Sequence, residues 1–229
     1  VFTQVGGLTT WLKTACGYTA SYAIKTDGTM WSWGANTKGE LGDNSTTNRN
    51  SPVQIGALTA WSELPRHAGF TFSCAIKTDG TLWAWGEGGA GQLGQGNTTD
   101  YSSPVQIGTL TTWSKVSCGR AFVLATKTDG TLWAWGSNSS GALGDGTITT
   151  RSSPVQVGAL TTWASVSTGS AMSLAITTDG KLYGWGTNSG GQLGQNNTTN
   201  YSSPVQVGTS TNWKTSTNGQ TATIAIENI

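Results

Sequence analysis

Residues 128–136 decide the fold, and they read Thr128-Asp129-Gly130-Thr131-Leu132-Trp133-Ala134-Trp135-Gly136. Close copies of this stretch occupy residues 26–34, 78–86 and 178–186, so the sequence repeats every 50 residues, with one interval of 52. A fixed period of this length is typical of proteins that stack copies of one supersecondary unit. We therefore expect a repeat architecture.

Each copy predicts a β-hairpin. Asp-Gly between two apolar runs favours a tight turn, because both residues tolerate a positive φ. After the turn, Trp133 and Trp135 alternate with Leu132 and Ala134, and the run before the turn alternates too. We therefore expect both faces of each sheet to be buried. The indoles of one sheet would pack against the small side chains of a neighbouring sheet, as in the blades of a propeller.

A complete repeat predicts four antiparallel strands. In the third copy they cover residues 113–118, 123–127, 132–135 and 154–157, and a long loop with a Gly-x-Leu-Gly motif joins the last two. Each predicted fourth strand opens with a proline: Pro52, Pro104, Pro154 and Pro204. Because proline cannot donate to a strand ladder, we expect the fourth strand at the outer edge of its sheet.

The whole chain, residues 1–229, is predicted to be one all-β domain, a β-propeller of four-stranded antiparallel blades. Four full repeats cover about 9–58, 59–110, 111–160 and 161–210, and residues 1–8 with 211–229 form a partial fifth blade shared by the two termini. Either residues 2–6 close the ring on the C-terminal strands, or the array is open. We favour closure, because an open edge that carries tryptophan would promote aggregation.

The first residues resemble the end of a repeat more than a signal peptide. We therefore expect that an N-terminal segment has been removed, or that the sequence belongs to a longer chain or a larger assembly. Charged residues make up 10% of the chain and the net charge is +1, with no basic patch. The composition therefore does not indicate a nucleic-acid partner, and no apolar run is long enough for membrane insertion.

No catalytic residue, metal site or cofactor is predicted. His67 is the only histidine, and we interpret it as part of a surface bulge, since its first strand is two residues longer than the others. The cysteines Cys16, Cys74 and Cys118 are replaced by ordinary residues in other copies, which indicates free packing residues. The turn aspartates are explained by turn chemistry. Glutamine replaces Asp43 and Asp145 in the remaining copies, so no repeated calcium site is expected.

The order of motifs resembles the regulator of chromosome condensation repeat family: Asp-Gly-x-Leu-Trp-x-Trp-Gly, then Asn-x-x-Gly-Gln-Leu-Gly, then Pro-Val-Gln-Val. The resemblance covers nearly the whole chain, and residues 138–144 and 188–194 match it closely. It implies a β-propeller, in that family usually of seven blades, whereas this sequence supplies about five. It also implies a range of functions: guanine-nucleotide exchange on a small GTPase, protein binding, β-lactamase inhibition or light sensing through tryptophan clusters.

The loops at one end of the blades differ between copies. The residue after the first-strand glycine is Tyr18, Phe70, Arg120, Ser170 or Gln220, and the long loops contribute Lys38, Glu87, Asn138 and Asn188. Variation among otherwise matching copies, with aromatic residues and one arginine, is typical of a binding surface. The sequence thus predicts a ligand-binding face that contains Tyr18, Phe70, Arg120, Lys38, Glu87, Asn138 and Asn188. Unconstrained drift of the loops explains the variation equally well.

The resulting hypothesis is a non-enzymatic binding or structural module that contacts a protein or glycan through this variable face. The near-identical, low-charge repeats look most like bacterial and phage surface members of the family, which predicts an extracellular, cell-surface or virion location. The alternative is regulation of an enzyme, by guanine-nucleotide exchange or β-lactamase inhibition. A third hypothesis is a purely structural segment of a fibre or capsid decoration.

Overall fold

The protein is all-β in a computed structural model that describes residues 10–57, 59–219 and 222–227. In these residues eighteen strands form five antiparallel sheets, four of four strands and one of two. The strands are β1 (Trp11–Cys16), β2 (Ala20–Lys25), β3 (Met30–Gly34), β4 (Arg49–Gln54), β5 (Trp61–Glu63), β6 (Phe72–Lys77), β7 (Leu82–Gly86), β8 (Tyr101–Gln106), β9 (Trp113–Cys118), β10 (Phe122–Lys127), β11 (Leu132–Gly136), β12 (Arg151–Gln156), β13 (Trp163–Thr168), β14 (Met172–Thr177), β15 (Leu182–Gly186), β16 (Tyr201–Gln206), β17 (Trp213–Asn218) and β18 (Thr223–Glu227). We call the sheets blades one to five in chain order. The predicted fold of four full repeats and a partial fifth is confirmed.

The strands of each four-stranded blade lie in chain order, so every blade is a meander with its fourth strand at one edge. The edge position agrees with the proline pattern, but the strand begins earlier than predicted: in blade three it is Arg151–Gln156 rather than 154–157. Pro154 lies where the register shifts between the pairs of Ala134 and Gly136. A bulge on an edge strand tolerates a residue without a backbone N–H.

The Asp-Gly turns have the chemistry that the sequence predicts. In blade three the Asp129 carboxylate accepts hydrogen bonds from the Thr131 backbone N–H at 2.9 Å and from its hydroxyl at 2.6 Å. The same hydroxyl accepts a bond from Trp133 Nε1 at 2.9 Å. Gly130 takes a φ of 77°, a left-handed conformation that a side chain resists. The turns of blades one to three thus fix the first indole of their Trp-x-Trp strands.

The core lies between the blades. Cys74 and Ala84 of blade two pack against Trp113 and Trp135 of blade three, and all four are at most 3% exposed. Trp135 Nε1 also donates to the carbonyl of Gln92, in the long loop of blade two, at 3.0 Å. Equivalent bonds join Trp85 to Glu40 and Trp185 to Ala142, both at 2.8 Å. The expected packing of indoles against the small side chains of the preceding blade is confirmed, and a hydrogen bond strengthens it.

Residues 64–68 of blade two lie at the centre, between the first strands of the neighbouring blades. Their backbone hydrogen-bonds with Val116 of β9 at 3.2 Å and with Cys16 of β1 at 3.2 Å. The Arg66 side chain reaches blade five, where Nη1 donates to the carbonyl of Ser216 at 2.6 Å. The first strands therefore face the axis, and this segment crosses it.

His67 belongs to this axial segment, so its interpretation as a surface bulge is wrong. The two extra residues of blade two carry the chain inward, and the carbonyl of His67 accepts a bond from the Cys118 N–H at 2.9 Å. Its Nε2 lies 3.3 Å from the Thr217 hydroxyl of blade five. Burial and, second, the charge of Arg66 lower the pKa of His67 below its usual value of 6.5. The ring is therefore neutral at neutral pH.

Blade five consists of β17 and β18, the first and second strands that the sequence predicts. Ile224 and Ile226 of β18 are 63% and 56% exposed, whereas the equivalent Leu174 and Ile176 of blade four are 0% and 3% exposed. No described residue therefore covers this face of blade five. Residues 2–6, the strand expected to close the ring, lie outside the described residues, so closure stays a prediction.

Candidate functional site

The first-strand turns meet at one end of the axis and surround a cavity of about 350 Å³. It is lined by residues 16–18, 67, 68, 70, 118–120, 168–170 and 219, which come from all five blades. We call this set of residues the mouth. None of them is acidic, and Arg120 carries the one permanent positive charge among them. The mouth is thus the place where the variable turn residues of blades one to four can act on a common ligand, while Gln220, the variable residue of blade five, lies outside the described residues.

Three of the predicted site residues form a column in the mouth. The rings of Tyr18 and Phe70 are stacked, with centroids 4.1 Å apart and planes at 9°. The Arg120 guanidinium carbon lies over the Phe70 ring, 5.2 Å from its centroid. Tyr18 is 61% exposed and Arg120 is also exposed, so the column presents its surface to solvent. That it binds a ligand stays a prediction.

The local fold places these side chains at equivalent positions. In the first-strand turns of blades one, three, four and five, the glycine N–H donates to the carbonyl of the residue three positions later, at 2.8 Å for Gly17 and Ala20 and at 2.8 Å for Gly119 and Phe122. A Cβ at Gly119 would lie 2.0 Å from the Phe122 ring, so only glycine fits there. The residue after the glycine lies at the mouth, and its identity differs from blade to blade.

Lys38 and Glu87 lie on the long loops and not in the mouth lining. They contact each other across the boundary between blades one and two, with Lys38 Nζ 4.0 Å from a Glu87 carboxylate oxygen and 3.8 Å from Asp100. Thr71 also donates its hydroxyl to Glu87. The two residues are paired within the protein, and the structure does not bring them into the column.

Asn138 and Asn188 are buried inside their loops, at 1% and 0% exposure. The Asn138 side-chain oxygen accepts the Leu143 N–H at 2.9 Å, and its amide group donates to Asp145 at 3.1 Å and to the carbonyl of Thr147 at 3.0 Å. Asn188 accepts the equivalent backbone bond, from Leu193, at 2.9 Å. Both asparagines therefore hold the loop conformation, and neither lies on the exposed surface that the sequence analysis expected.

Asp43 and Asp145, rejected above as calcium ligands, are instead paired with arginines. Arg49 Nε lies 2.7 Å from Asp43, and Arg151 lies 2.8 Å from Asp145. Burial alone would raise the pKa of Asp145, but hydrogen bonds from Thr147 and Arg151 outweigh it and hold the pKa below 3.8. The six-residue spacing of these Asp and Arg residues, found in two copies, is a signal that sequence reasoning missed.

Sequence reasoning also missed a serine-lined cleft beside Arg120. Ser137, Ser139, Ser140 and Ser170 line a cavity of about 270 Å³ between blades three and four, and Arg120 lies at its border with the mouth. The signal was available, since only the copy with the arginine at the mouth also carries three serines in the following long loop.

Residues 10–57, 59–219 and 222–227 contain no cluster of three or more His, Cys, Asp or Glu side chains that could hold a metal ion. Over the same ranges, no helix has the length and apolar character needed to span a bilayer.

The family model described as the regulator of chromosome condensation (RCC1) repeat matches residues 27–76, 79–126, 129–176 and 179–226. The chain belongs to the RCC1 repeat family. A second model with the same description matches residues 11–40, 113–142 and 163–192. Each match of the first model begins at a turn aspartate and ends in the second strand of the next blade. The RCC1 sequence repeat is therefore offset from the blade by half a sheet.

Several relatives of known sequence share RCC1 repeats with the chain. Protein RCC2 of Mus musculus is 40% identical over 106 residues, which cover 44% of this chain and 20% of that protein. The E3 ubiquitin-protein ligase HERC2 of Homo sapiens is 31% identical over 112 residues, or 47% of this chain and 2% of that protein. The chain thus spans about a fifth or less of the length of these relatives.

Solved structures show the same fold. Human WBSCR16 superposes with a TM-score of 0.87 at 19% identity, over 99% of this chain and 60% of that one. Prp20p of Saccharomyces cerevisiae, a protein studied for its binding to Gsp1p and histones, superposes with a TM-score of 0.82 at 17% identity, over 98% of this chain and 56% of that one. These similarities establish the architecture and no shared partner.

Proposed function

We propose that the chain is a non-enzymatic protein-binding module whose partner docks on the mouth. The observation that carries this proposal is the exposed column of Tyr18, Phe70 and Arg120, which three consecutive blades build at the variable end of the axis. Tyrosine and arginine are the residue types most enriched among the energetic centres of protein interfaces. A rigid stack loses little side-chain entropy when it binds, which favours such a role.

A comparison of the two ends of the molecule supports this choice of face. At the other end of the blades the Asp-Gly turns are nearly identical in every copy, and their side chains are engaged in the turn itself. Uniform, internally bonded turns offer little for a specific partner to recognise. The binding of Gsp1p and histones by Prp20p shows only that a propeller of this architecture can serve as a protein-binding scaffold.

The location forms part of the same proposal. We place the module outside the cell, on a cell or virion surface, because its charge is low and its repeats are rich in glycine, serine and threonine. Fractionation of the source organism with an antibody against the chain tests this placement. Recovery in the cytoplasmic fraction alone would contradict it.

The function is tested by capture of a partner on the immobilised chain, identification by mass spectrometry, and measurement of the affinity of the purified pair. The test variant is Tyr18→Ala/Phe70→Ala/Arg120→Ala. A matched control is Leu110→Ala/Leu160→Ala, because these leucines are 45% exposed in the connections between blades, at the opposite end. The test variant should weaken binding at least about tenfold, as loss of an interface centre does, and the control should not.

Equal binding by the wild type and the test variant would contradict the proposal. Loss of binding with the control alone would move the interface to the opposite face. If the wild-type chain accelerates nucleotide release from a small GTPase, or inhibits a β-lactamase, the mouth would instead serve enzyme regulation.

A further inference from the structure

Arg120 differs from every other arginine of the chain in having an uncommitted side chain. Arg49 and Arg151 form ion pairs with aspartates, and Arg66 donates to a backbone carbonyl of blade five. The Arg120 guanidinium donates no hydrogen bond and forms no ion pair with any residue in the described ranges. It makes a cation–π contact with the Phe70 ring. Its donors are thus available for a ligand.

The column holds this guanidinium in one place. The guanidinium carbon lies 5.2 Å from the centroid of the Phe70 ring, and the Tyr18 ring stacks on Phe70 with 4.1 Å between the centroids. The backbone is fixed too, because the Arg120 N–H donates to the Ser170 carbonyl at 3.2 Å. A guanidinium that contacts only an aromatic ring keeps its N–H groups free for a two-pronged bond to a carboxylate.

Serine side chains line the cleft next to Arg120. Ser137, Ser139, Ser140 and Ser170 line the adjoining cleft, and none of their side chains hydrogen-bonds to another described residue. Serine hydroxyls can donate to oxygen atoms that a single guanidinium leaves unbound. Arg120 therefore lies between two cavities of different character, a partly aromatic mouth and a polar cleft.

The charges around the site favour an anion with one negative charge. No carboxylate lines the mouth or the cleft, so nothing nearby competes for Arg120. The other basic side chain of the mouth, His67, is neutral at neutral pH because burial lowers its pKa. One permanent positive charge matches a carboxylate, whereas sites for phosphorylated peptides generally use clusters of arginine.

We propose that Arg120 and the serine-lined cleft bind the carboxylate of an aspartate or glutamate in an acidic segment of a partner protein. An aromatic or apolar side chain next to that carboxylate would fill the mouth against Tyr18 and Phe70. This inference rests on the proposed function and specifies the chemistry of the partner. It requires a peptide rather than a free anion, since the two cavities are adjacent and only a chain can occupy both.

The experiment is selection of a displayed library of random twelve-residue peptides on the immobilised wild-type chain and on two variants. Arg120→Gln removes the proposed contact. Lys214→Gln is the matched control, because it also removes one positive charge but lies exposed near the start of β17, at the end of the blade away from the mouth. The affinities of the selected peptides are then measured by fluorescence polarisation.

Peptides selected on the wild type and on Lys214→Gln should be enriched in Asp or Glu next to an aromatic residue. Arg120→Gln should lose this enrichment and bind the same peptides at least about tenfold more weakly, the loss expected for a charge-assisted bond. Replacement of the peptide's Asp or Glu by Asn or Gln should cost the same factor on the wild type and nothing further on Arg120→Gln.

Three outcomes would overturn the inference. Selected peptides without acidic residues would show that the carboxylate is not recognised. Tighter binding of the phosphoserine form of a selected peptide than of its aspartate form would assign the site to phosphate, and binding of an acidic sugar but of no peptide would assign it to a glycan. If a natural partner is lost with Tyr18→Ala/Phe70→Ala but bound normally by Arg120→Gln, the protein-binding function stands and only this inference fails.

Discussion

The contact between blades makes a quantitative prediction about Trp135 and Trp33, which occupy the same position in their blades. Trp135 is 0% exposed and donates to the Gln92 carbonyl of the preceding blade at 3.0 Å. Trp33 is partly exposed and donates to no residue in the described ranges. Replacement of each by phenylalanine therefore removes the same atoms from two different surroundings.

Trp135→Phe should lower the free energy of unfolding by about 2 kcal/mol or more. It leaves the buried Gln92 carbonyl without a partner, which costs about 1–3 kcal/mol, and it opens a small cavity that adds to this loss. The T-shaped contact with Trp113, at 5.8 Å between centroids, can survive in the phenylalanine variant. Trp33→Phe should cost under about 1 kcal/mol, because Trp33 is partly exposed and donates no hydrogen bond to a described residue.

Urea unfolding followed by far-ultraviolet circular dichroism measures both values without relying on the fluorescence of the chain's 12 tryptophans. Trp135→Ala provides a scale, since loss of a buried indole costs about 3–5 kcal/mol. Equal losses for the two phenylalanine variants, or a larger loss for Trp33→Phe, would refute the reasoning. They would mean that the hydrogen bond to the preceding blade does not stabilise the stack.

Three further predictions follow from named contacts. Asn138→Ala should lower the free energy of unfolding by about 1–3 kcal/mol, because it leaves the buried groups of its loop unpaired, and calorimetry should show a lower melting temperature. The lowered pKa of Asp145 stabilises the fold above the usual carboxyl value of 3.8, and this stability should be lost as pH falls through the folded value; Asp145→Asn should reduce that loss in acid unfolding curves. Iodoacetamide should alkylate the exposed Cys16 in the folded chain, whereas Cys74 and Cys118, buried with their Sγ atoms 2.9 Å apart, should react only after unfolding, and peptide mapping should show this order.

Each of these predictions has an outcome that would contradict it. Ser139→Ala, in the same loop but exposed, should leave the melting temperature unchanged, and an equal drop would contradict the role given to Asn138. Acid unfolding that is identical with and without Asp145→Asn would show that the Arg151 pair does not stabilise the fold. Alkylation of Cys74 or Cys118 in the folded chain as fast as that of Cys16 would contradict the packing of blades two and three.

The fold was predictable because its signals are local. Alternation of apolar residues and the Asp-Gly pair at 129–130 predict a hairpin without knowledge of any distant contact. Recurrence of the pattern then predicts the stacking, since Trp135 and its equivalents need a complementary face. The start of the fourth strand was misjudged, because an edge bulge places Pro154 inside the strand and local rules prefer it at the beginning.

The site was predictable only in part. Variation among copies singled out Tyr18, Phe70 and Arg120, but their stacking depends on the angle between blades, which no single repeat encodes. Asn138 was misplaced because an asparagine in a loop resembles a surface residue. An asparagine occurs five residues before the loop leucine in three copies, at Asn36, Asn138 and Asn188. Such recurrence indicates a structural role rather than a variable one.

The axial segment shows a different limit. The sequence reveals two extra residues between the first and second strands of blade two, but the direction of an insertion is not a local property. Residues 64–68 turn inward because β1 and β9 offer free backbone groups on both sides of the axis and β17 accepts the Arg66 side chain. Such groups become visible only when all five blades are assembled.

Hydrogen–deuterium exchange of the chain with and without its captured partner tests the central claim most directly, because it maps the protected backbone without any substitution. If the mouth is the docking surface, binding should slow exchange at residues 17–20, 69–72 and 119–122, and leave the Asp-Gly turns at 26–30, 78–82 and 128–132 unchanged. Protection confined to the Asp-Gly turns would contradict the account.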